Sequence, residues 1–219
     1  MECPDILEAR TVVRVLVPLP DGFEEIEAIS IIDILRRAEI DVVVAGLSQP
    51  GAAVTGSHQI PVLPDTTLDE TWSETLASSF DALVIPGGPG VKALLDNPKI
   101  GQLARQFSQA RKCTAAICAA PLVLSQAGLL HDRTATSFPS TQDQMEVADY
   151  SQERVVVDGH IVTSRGAGTA VEFALQVVAE LRGPTKAAEV SAAIVSTWLP
   201  QAIATPQSTR SSTCGANAG

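Results

Sequence analysis

Strand-length apolar runs alternate with longer stretches of helical period along most of this chain, and that alternation limits the fold more than any other property of the sequence. Residues 12–19 form the first run. The acidic segment Gly22-Phe23-Glu24-Glu25-Ile26-Glu27 follows, and apolar residues then recur at 26, 28, 29, 31, 32, 34, 35 and 38, mostly at helical spacing. Charged residues at 24, 25, 27, 33, 36 and 37 favour a helix over a strand here, and a second run at 41–47 completes a βαβ unit. The apolar arc of this helix is wide for a single sheet face. It calls for a second apolar neighbour, either another layer or a subunit interface.

The pattern continues. Residues 52–63 read as an extended excursion in which Pro61 and Pro64 argue against a central strand. A helix is predicted over 68–80, capped by Asp65, Thr66 or Thr67. A strand over 81–85 then runs into Pro86-Gly87-Gly88-Pro89-Gly90, followed by a helix over 91–108, a strand over 113–117, and a helix to about 127 ended by Gly128. Residues 133–136 suit a short strand, 139–152 a loop with a short helix, and 154–163 a hairpin around Asp158-Gly159. A helix over 169–181 is expected, with Thr169 and Glu172 as a capping box and Gly183-Pro184 as its end, and one short helix within 186–197. The fold class is α/β: a single-domain, flavodoxin-like sandwich with a mostly parallel central sheet, helices on both faces and a small β-hairpin. The domain is expected over 11–200, after an extension at 1–10. Residues 201–219, rich in Ser, Thr, Ala and Gly, are expected to be disordered.

With 219 residues, 45% of them hydrophobic, the chain can bury a substantial core in one domain. No apolar run approaches the roughly 20 residues of a bilayer span, so no membrane partner is expected. Met1-Glu2-Cys3-Pro4-Asp5 lacks the basic and apolar stretches of an export signal, which points to a cytoplasmic protein with organellar import left open. A net charge of -10 without a Lys/Arg cluster disfavours stable nucleic-acid binding. Cys3, Cys113, Cys118 and Cys214 show neither metal-site spacing nor disulfide density, and His58, His131 and His160 are scattered; reduced thiols and no metal are expected. Gly87, Gly88 and Gly90 lack the dinucleotide fingerprint, so no cofactor is expected.

In an open parallel sheet the strand C-termini form the binding edge. Three segments converge there. Cys118 follows a strand and precedes a helix, a position that exposes its sulfur beside helix N–H groups able to stabilise a thiolate. Glu27 shares an apolar stripe with Ile31 and Ile34, so burial would keep it protonated, whereas Glu24 and Glu25 are placed toward solvent and the helix dipole. Gly87 and Gly88 offer backbone N–H groups to an oxyanion. Each feature has a plainer reading: a cysteine in an Ala-rich junction as a small buried hydrophobe, a first-turn acid held by the dipole, an ordinary glycine turn. The coincidence of all three at one edge favours chemistry. Cys113, at the other end of its strand, reads as structural, and His131 as a surface loop residue.

Gly22-Phe23-Glu24-Glu25-Ile26-Glu27, Ile32-Asp33-Ile34-Leu35-Arg36-Arg37-Ala38, Val44-Ala45-Gly46-Leu47, Ile85-Pro86-Gly87-Gly88, Ala115-Ala116-Ile117-Cys118-Ala119-Ala120-Pro121 and Thr163-Ser164-Arg165-Gly166-Ala167-Gly168-Thr169 together resemble the ThiJ/PfpI superfamily, in its deglycase and glyoxalase III-like branch. The resemblance covers about residues 12–195. It implies that Cys118 is an oxidisable nucleophile, Glu27 its partner acid, and Gly88 with the Cys118 and Ala119 backbone the anion-stabilising amides. It further implies a homodimer packed across the first helix. The implied activity is glutathione-independent conversion of methylglyoxal or glyoxal to a 2-hydroxy acid, or action on early glycation adducts, without a cofactor. A cysteine-based oxidative-stress sensor or redox-regulated chaperone is the alternative. Phe138 stands where several animal relatives carry histidine, which disfavours a Cys-His protease. His58 stands where relatives often have an arginine that contacts an anion or the partner subunit.

Overall fold

A computed structural model of the chain describes residues 12–73 and 75–198. β1 (Arg14–Leu19), α1 (Glu25–Arg37) and β2 (Asp41–Gly46) make the expected βαβ unit, with β1 and β2 parallel and paired from Arg14 opposite Asp41 to Leu19 opposite Gly46. The short strands β3 (Val54–Thr55) and β4 (Pro61–Val62) form a separate antiparallel hairpin, which is how Pro61 is accommodated without interrupting the main sheet. β5 (Thr66–Thr67), β6 (Ala82–Ile85), β7 (Cys113–Ile117), β10 (Val155–Asp158) and β11 (Ile161–Ser164) complete a seven-stranded sheet in the order β10-β11-β7-β6-β1-β2-β5. β8 (Thr134–Ala135) and β9 (Asp149–Tyr150) pair outside it. All neighbours in the main sheet are parallel except the β10–β11 hairpin, whose tight turn holds Gly159 at φ 63.

Side chains alternate between two cores. Val15, Val17 and Leu19 of β1, Val84 of β6 and Ile117 of β7 face α1, α6 (Ala170–Arg182) and α7 (Pro184–Ala193), while Leu16, Leu83, Ile85 and Ala116 face the other layer. That layer holds α3 (Val91–Leu95), α4 (Pro98–Gln109) and α5 (Pro121–Gln126), besides the short α2 (Leu68–Thr71). Burial on both faces explains why these strands read as continuous apolar runs. α1 packs on α6 as well as on the sheet, so Ile31, Ile32, Ile34 and Leu35 are covered. Part of the wide apolar arc therefore serves an internal layer, yet Ile26 and Ile29 remain 57% and 43% exposed.

Several boundaries differ from the sequence expectation. The helix over 68–80 stops at Thr71 and resumes only as a 3-10 turn at Leu76–Ser79; Thr67 does form the cap, with Glu70 completing the capping box. The helix over 91–108 is two helices, because Asn97 caps a fresh start, accepting from the Lys99 N–H at 3.0 Å, and Pro98 occupies the first turn. Thr169 does not cap α6. Its hydroxyl bonds Ser164 Oγ at 2.7 Å and the Gly166 carbonyl at 2.8 Å, and Glu172 instead takes a forked bond from Arg154. α7 begins at Pro184, ahead of the expected 186. Residues 1–10 and 201–219, with Cys3 and Cys214, lie outside the described residues. Among the described residues no helix is long and apolar enough to cross a membrane.

Candidate active site

Cys118 lies between β7 and α5 with φ 63, a left-handed conformation that a non-glycine residue adopts rarely. Its backbone is fixed on both sides: the N–H donates to the Ser164 carbonyl at 2.9 Å, and the carbonyl accepts from the Phe138 N–H at 2.7 Å. The half-buried sulfur lies near the backbone N–H groups of Ala119 and Gly88, which lower its pKa. Gly88 itself has φ 102, and a Cβ there would overlap the Phe23–Glu24 backbone. Only glycine brings that amide to the sulfur.

Glu27 stands in the first turn of α1 and is fully buried. Its Oε2 accepts the Gly87 N–H at 2.8 Å. Oε1 is buried without a hydrogen-bond partner, and the Cys118 thiol neighbours the carboxyl. Gly87 joins the two, since a Cβ at that position would stand 2.6 Å from Cys118 Cβ and 2.8 Å from Glu27 Oε2. The Gly87 amide is thereby committed to the carboxyl. Sequence grouped it with the oxyanion donors; in the structure the Gly88 and Ala119 amides lower the thiol while the Gly87 amide is taken by Glu27.

Burial pushes Glu27 up to about 7, against the Gly87 hydrogen bond, and pushes Cys118 up to about 12, where the Glu27 charge adds to it. The Ala119 and Gly88 amides do lower the thiol, as the sequence suggests, but burial and the neighbouring carboxylate outweigh them. The site is therefore not one that simply favours a thiolate. Both shifts disfavour two charges on the neighbouring groups, so the pair titrates as a unit.

Glu25 departs from its expected solvent-facing place. It is buried at 6% exposure, where its carboxyl accepts from Ser57 Oγ, the His58 N–H, His58 Nδ1 and the Ile60 N–H. Burial alone would raise its pKa, but the bonds from His58 and Ser57 outweigh that and hold it at about 2. These contacts fasten the β3–β4 hairpin to α1. The same hairpin is stitched to the segment before α1 by Gly22 N–H to Thr55 carbonyl at 2.7 Å and Ser57 N–H to Phe23 carbonyl at 2.8 Å. On its other side that segment bonds the glycine turn, through Glu24 N–H to the Gly87 carbonyl at 3.0 Å and Gly90 N–H to the Gly22 carbonyl at 2.9 Å.

Glu24, Glu25 and His58 are close enough to ligate a cation together. The donor set does not suit one: both Glu25 oxygens carry hydrogen bonds, Glu24 Oε2 caps the Glu27 N–H at 2.8 Å, and the site faces the positive end of α1. Cys113 is buried at the start of β7, with its thiol raised to about 12 by burial. His131 is exposed and pairs with Glu146, away from the sulfur. Sequence reasoning named Phe138 without placing it and did not single out Gly166. The two border one space beside the sulfur: a Cβ on Gly166 would meet Phe138 Cδ2 at 3.3 Å and Cys118 Sγ at 3.9 Å. The available signal was that Gly166 follows β11, the strand beside β7.

A model of the DJ-1/PfpI family matches residues 13–180. Protein dj-1beta of Drosophila melanogaster is 44% identical over 180 residues, covering 80% of this chain and 93% of that protein. Its crystal structure superposes with a TM-score of 0.78 at 41% identity, covering 86% of this chain and all of that one. The glutathione-independent glyoxalase DJR-1.2 of Caenorhabditis elegans is 36% identical over 175 residues, which span 78% of this chain and 89% of the glyoxalase. The chain matches 40% of the length of Protein DJ-1 homolog B of Arabidopsis thaliana, at 38% identity over 182 residues, so it spans less than half of that relative. With the family match running from β1 into α6 and the same fold in its relatives, this chain belongs to the DJ-1/PfpI family.

Proposed function

We propose that this chain is a cofactor-independent enzyme of the glyoxalase III type, converting methylglyoxal or glyoxal to the 2-hydroxy acid, with early glycation adducts as related substrates. The observation that carries the reading is a buried Glu27 carboxyl, one oxygen of it without a hydrogen-bond partner, beside the Cys118 thiol. A carboxyl with a pKa near 7 is suited to give and take protons at neutral pH. The likeness to a glutathione-independent glyoxalase supports the same reading.

In this mechanism Cys118 passes its proton to Glu27 Oε1 as the sulfur adds to the aldehyde carbon. The carbonyl π pair moves to oxygen, which the Gly88 and Ala119 amides receive, and Glu27 returns the proton to that oxygen to give a hemithioacetal. The Glu27 carboxylate then removes the C–H proton of the former aldehyde carbon to leave an enediolate. The hydroxyl proton on the first carbon passes to the former ketone oxygen, and Glu27 delivers its proton to the second carbon, leaving a thioester C=O beside a new hydroxyl. The first carbon is oxidised and the second reduced, so no outside redox partner is needed. Water hydrolyses the resulting thioester, releasing lactate from methylglyoxal and restoring the thiol. The test is lactate formation from methylglyoxal without glutathione: Cys118→Ala and Glu27→Gln each lose at least about a hundredfold, as expected for a nucleophile and a general base. Full turnover in either folded variant refutes the assignment.

A second reading rests on the same amides. If Cys118 were oxidised to sulfinate, the Gly88 and Ala119 N–H groups and a protonated Glu27 would hold the new oxygens, as a redox sensor or redox-regulated chaperone requires. Selective oxidation of Cys118 by dilute peroxide, in a protein that forms no lactate, would favour it. Homodimer formation through the exposed Ile26 and Ile29 of α1 is part of either proposal.

A further inference from the structure

The sulfur has two kinds of neighbour. Glu27 and the Gly88 and Ala119 amides suit a carbonyl oxygen and a mobile proton. The Phe138 ring and the bare α-carbon of Gly166 border the space beside the sulfur, and neither brings a charge or a side-chain donor. Phe138 is 45% exposed, so its ring is not placed there by core packing. Its backbone is nonetheless locked at both ends: the N–H donates to the Cys118 carbonyl at 2.7 Å, and its own carbonyl accepts from Thr141 N–H at 2.9 Å and Thr141 Oγ1 at 2.8 Å. Gly166 is fixed as well, its N–H donating to Thr169 Oγ1 at 3.2 Å and its carbonyl accepting from Thr169 N–H at 2.8 Å. The space that a Cβ on Gly166 would fill lies 3.3 Å from the ring and 3.9 Å from the sulfur.

We propose that Phe138 is a specificity-determining residue: its ring, with Gly166, forms an apolar wall that receives the substituent of a carbonyl compound held at Cys118 and favours aryl over small or polar substituents. The proposal deepens the glyoxalase reading, because it assigns the substituent of the 2-oxoaldehyde to the space bordered by Phe138 and Gly166. It needs only that Cys118 is the reacting thiol. An aromatic substituent lying against the ring gains edge or offset stacking beyond its buried area, which is enough to change a rate ratio by roughly fivefold.

The wall is tested through alkylation of Cys118, which does not depend on turnover. In phenacyl bromide the sulfur displaces bromide: the S–C bond forms, the C–Br bond breaks, and the thiol proton passes to Glu27 or solvent. Iodoacetamide reacts in the same way without the ring. Rates at Cys118 are followed by peptide mass spectrometry in the whole protein, and the phenacyl-to-iodoacetamide ratio is compared with that of a free small thiol. The wild-type ratio should exceed that of the free thiol. Phe138→Ala should lower it about fivefold while changing the iodoacetamide rate less than about twofold, and Phe138→Tyr should keep it. A wild-type ratio equal to that of the free thiol, an unchanged ratio in Phe138→Ala, or an equal fall for both reagents overturns the proposal. Lactate from methylglyoxal and mandelate from phenylglyoxal are measured separately; their absence beside an intact labelling ratio would refute the glyoxalase reading and leave the wall standing.

Discussion

Replacing Glu27 with glutamine removes a charge while keeping the shape of the side chain: the amide oxygen still accepts the Gly87 N–H, and the amide NH2 faces the sulfur. Burial holds the native carboxyl at about 7, above its ordinary 4.5. The folded protein therefore keeps a proton that the unfolded chain releases, and the stability linked to that proton is fully present below pH 4.5 and lost as pH rises through about 7. The difference of about 2.5 in pKa corresponds to roughly 3 kcal/mol. Glu27→Gln escapes this loss. Relative to its value at pH 4.5, the stability of the variant should gain about 3 kcal/mol on wild type by pH 8. Urea unfolding of both proteins at several pH values and one protein concentration measures this, and the difference between the curves cancels Glu25 and every other shared carboxyl. A difference that stays flat from pH 4.5 to 8 would refute the burial argument for Glu27, whatever the variant's activity.

Gly87→Ala places a Cβ 2.6 Å from Cys118 Cβ and 2.9 Å from the Ile117 carbonyl, so we expect about 1–3 kcal/mol of destabilisation and loss of turnover, read by urea unfolding and lactate assay. A stable, active Gly87→Ala protein contradicts the close packing described. The Glu25 carboxylate, held at about 2, contributes stability that is present above pH 4.5 and lost as pH falls toward 2; Glu25→Gln should flatten that acid limb, and an unaltered acid transition argues against the clamp. Sedimentation should give twice the chain mass for wild type at micromolar concentration and the monomer for Ile26→Glu with Ile29→Glu. A monomeric wild type leaves those two side chains without the role given them.

Glu27 and Cys118 were legible in the sequence because each follows a strand-length apolar run, and parallel strands deliver their C-terminal ends to one edge. Glu25 was not, because its burial depends on the β3–β4 hairpin folding back over it, a contact between residues more than thirty positions apart. The Gly87 amide was misassigned for a different reason. Residue spacing locates a glycine turn but says nothing of where each peptide plane points. Thr169 satisfied the capping-box pattern, yet Ser164 Oγ and the Gly166 carbonyl compete for its hydroxyl, and neither competitor follows from local propensity. The break at Asn97-Pro98 was readable, since a capping side chain followed by proline is a helix start.

The backbone of Cys118 has a consequence for how such a chain would change if released from its work. A side chain with a Cβ at φ 63 costs the fold about 1–2 kcal/mol, and glycine at the same position would avoid most of it. Cys118→Ala keeps the strain, whereas Cys118→Gly relieves it. Thermal robustness and a thiol at this position thus pull in opposite directions. A duplicated copy under selection for folding alone would drift there toward glycine, and the thiol would be lost by a substitution that makes the protein more durable.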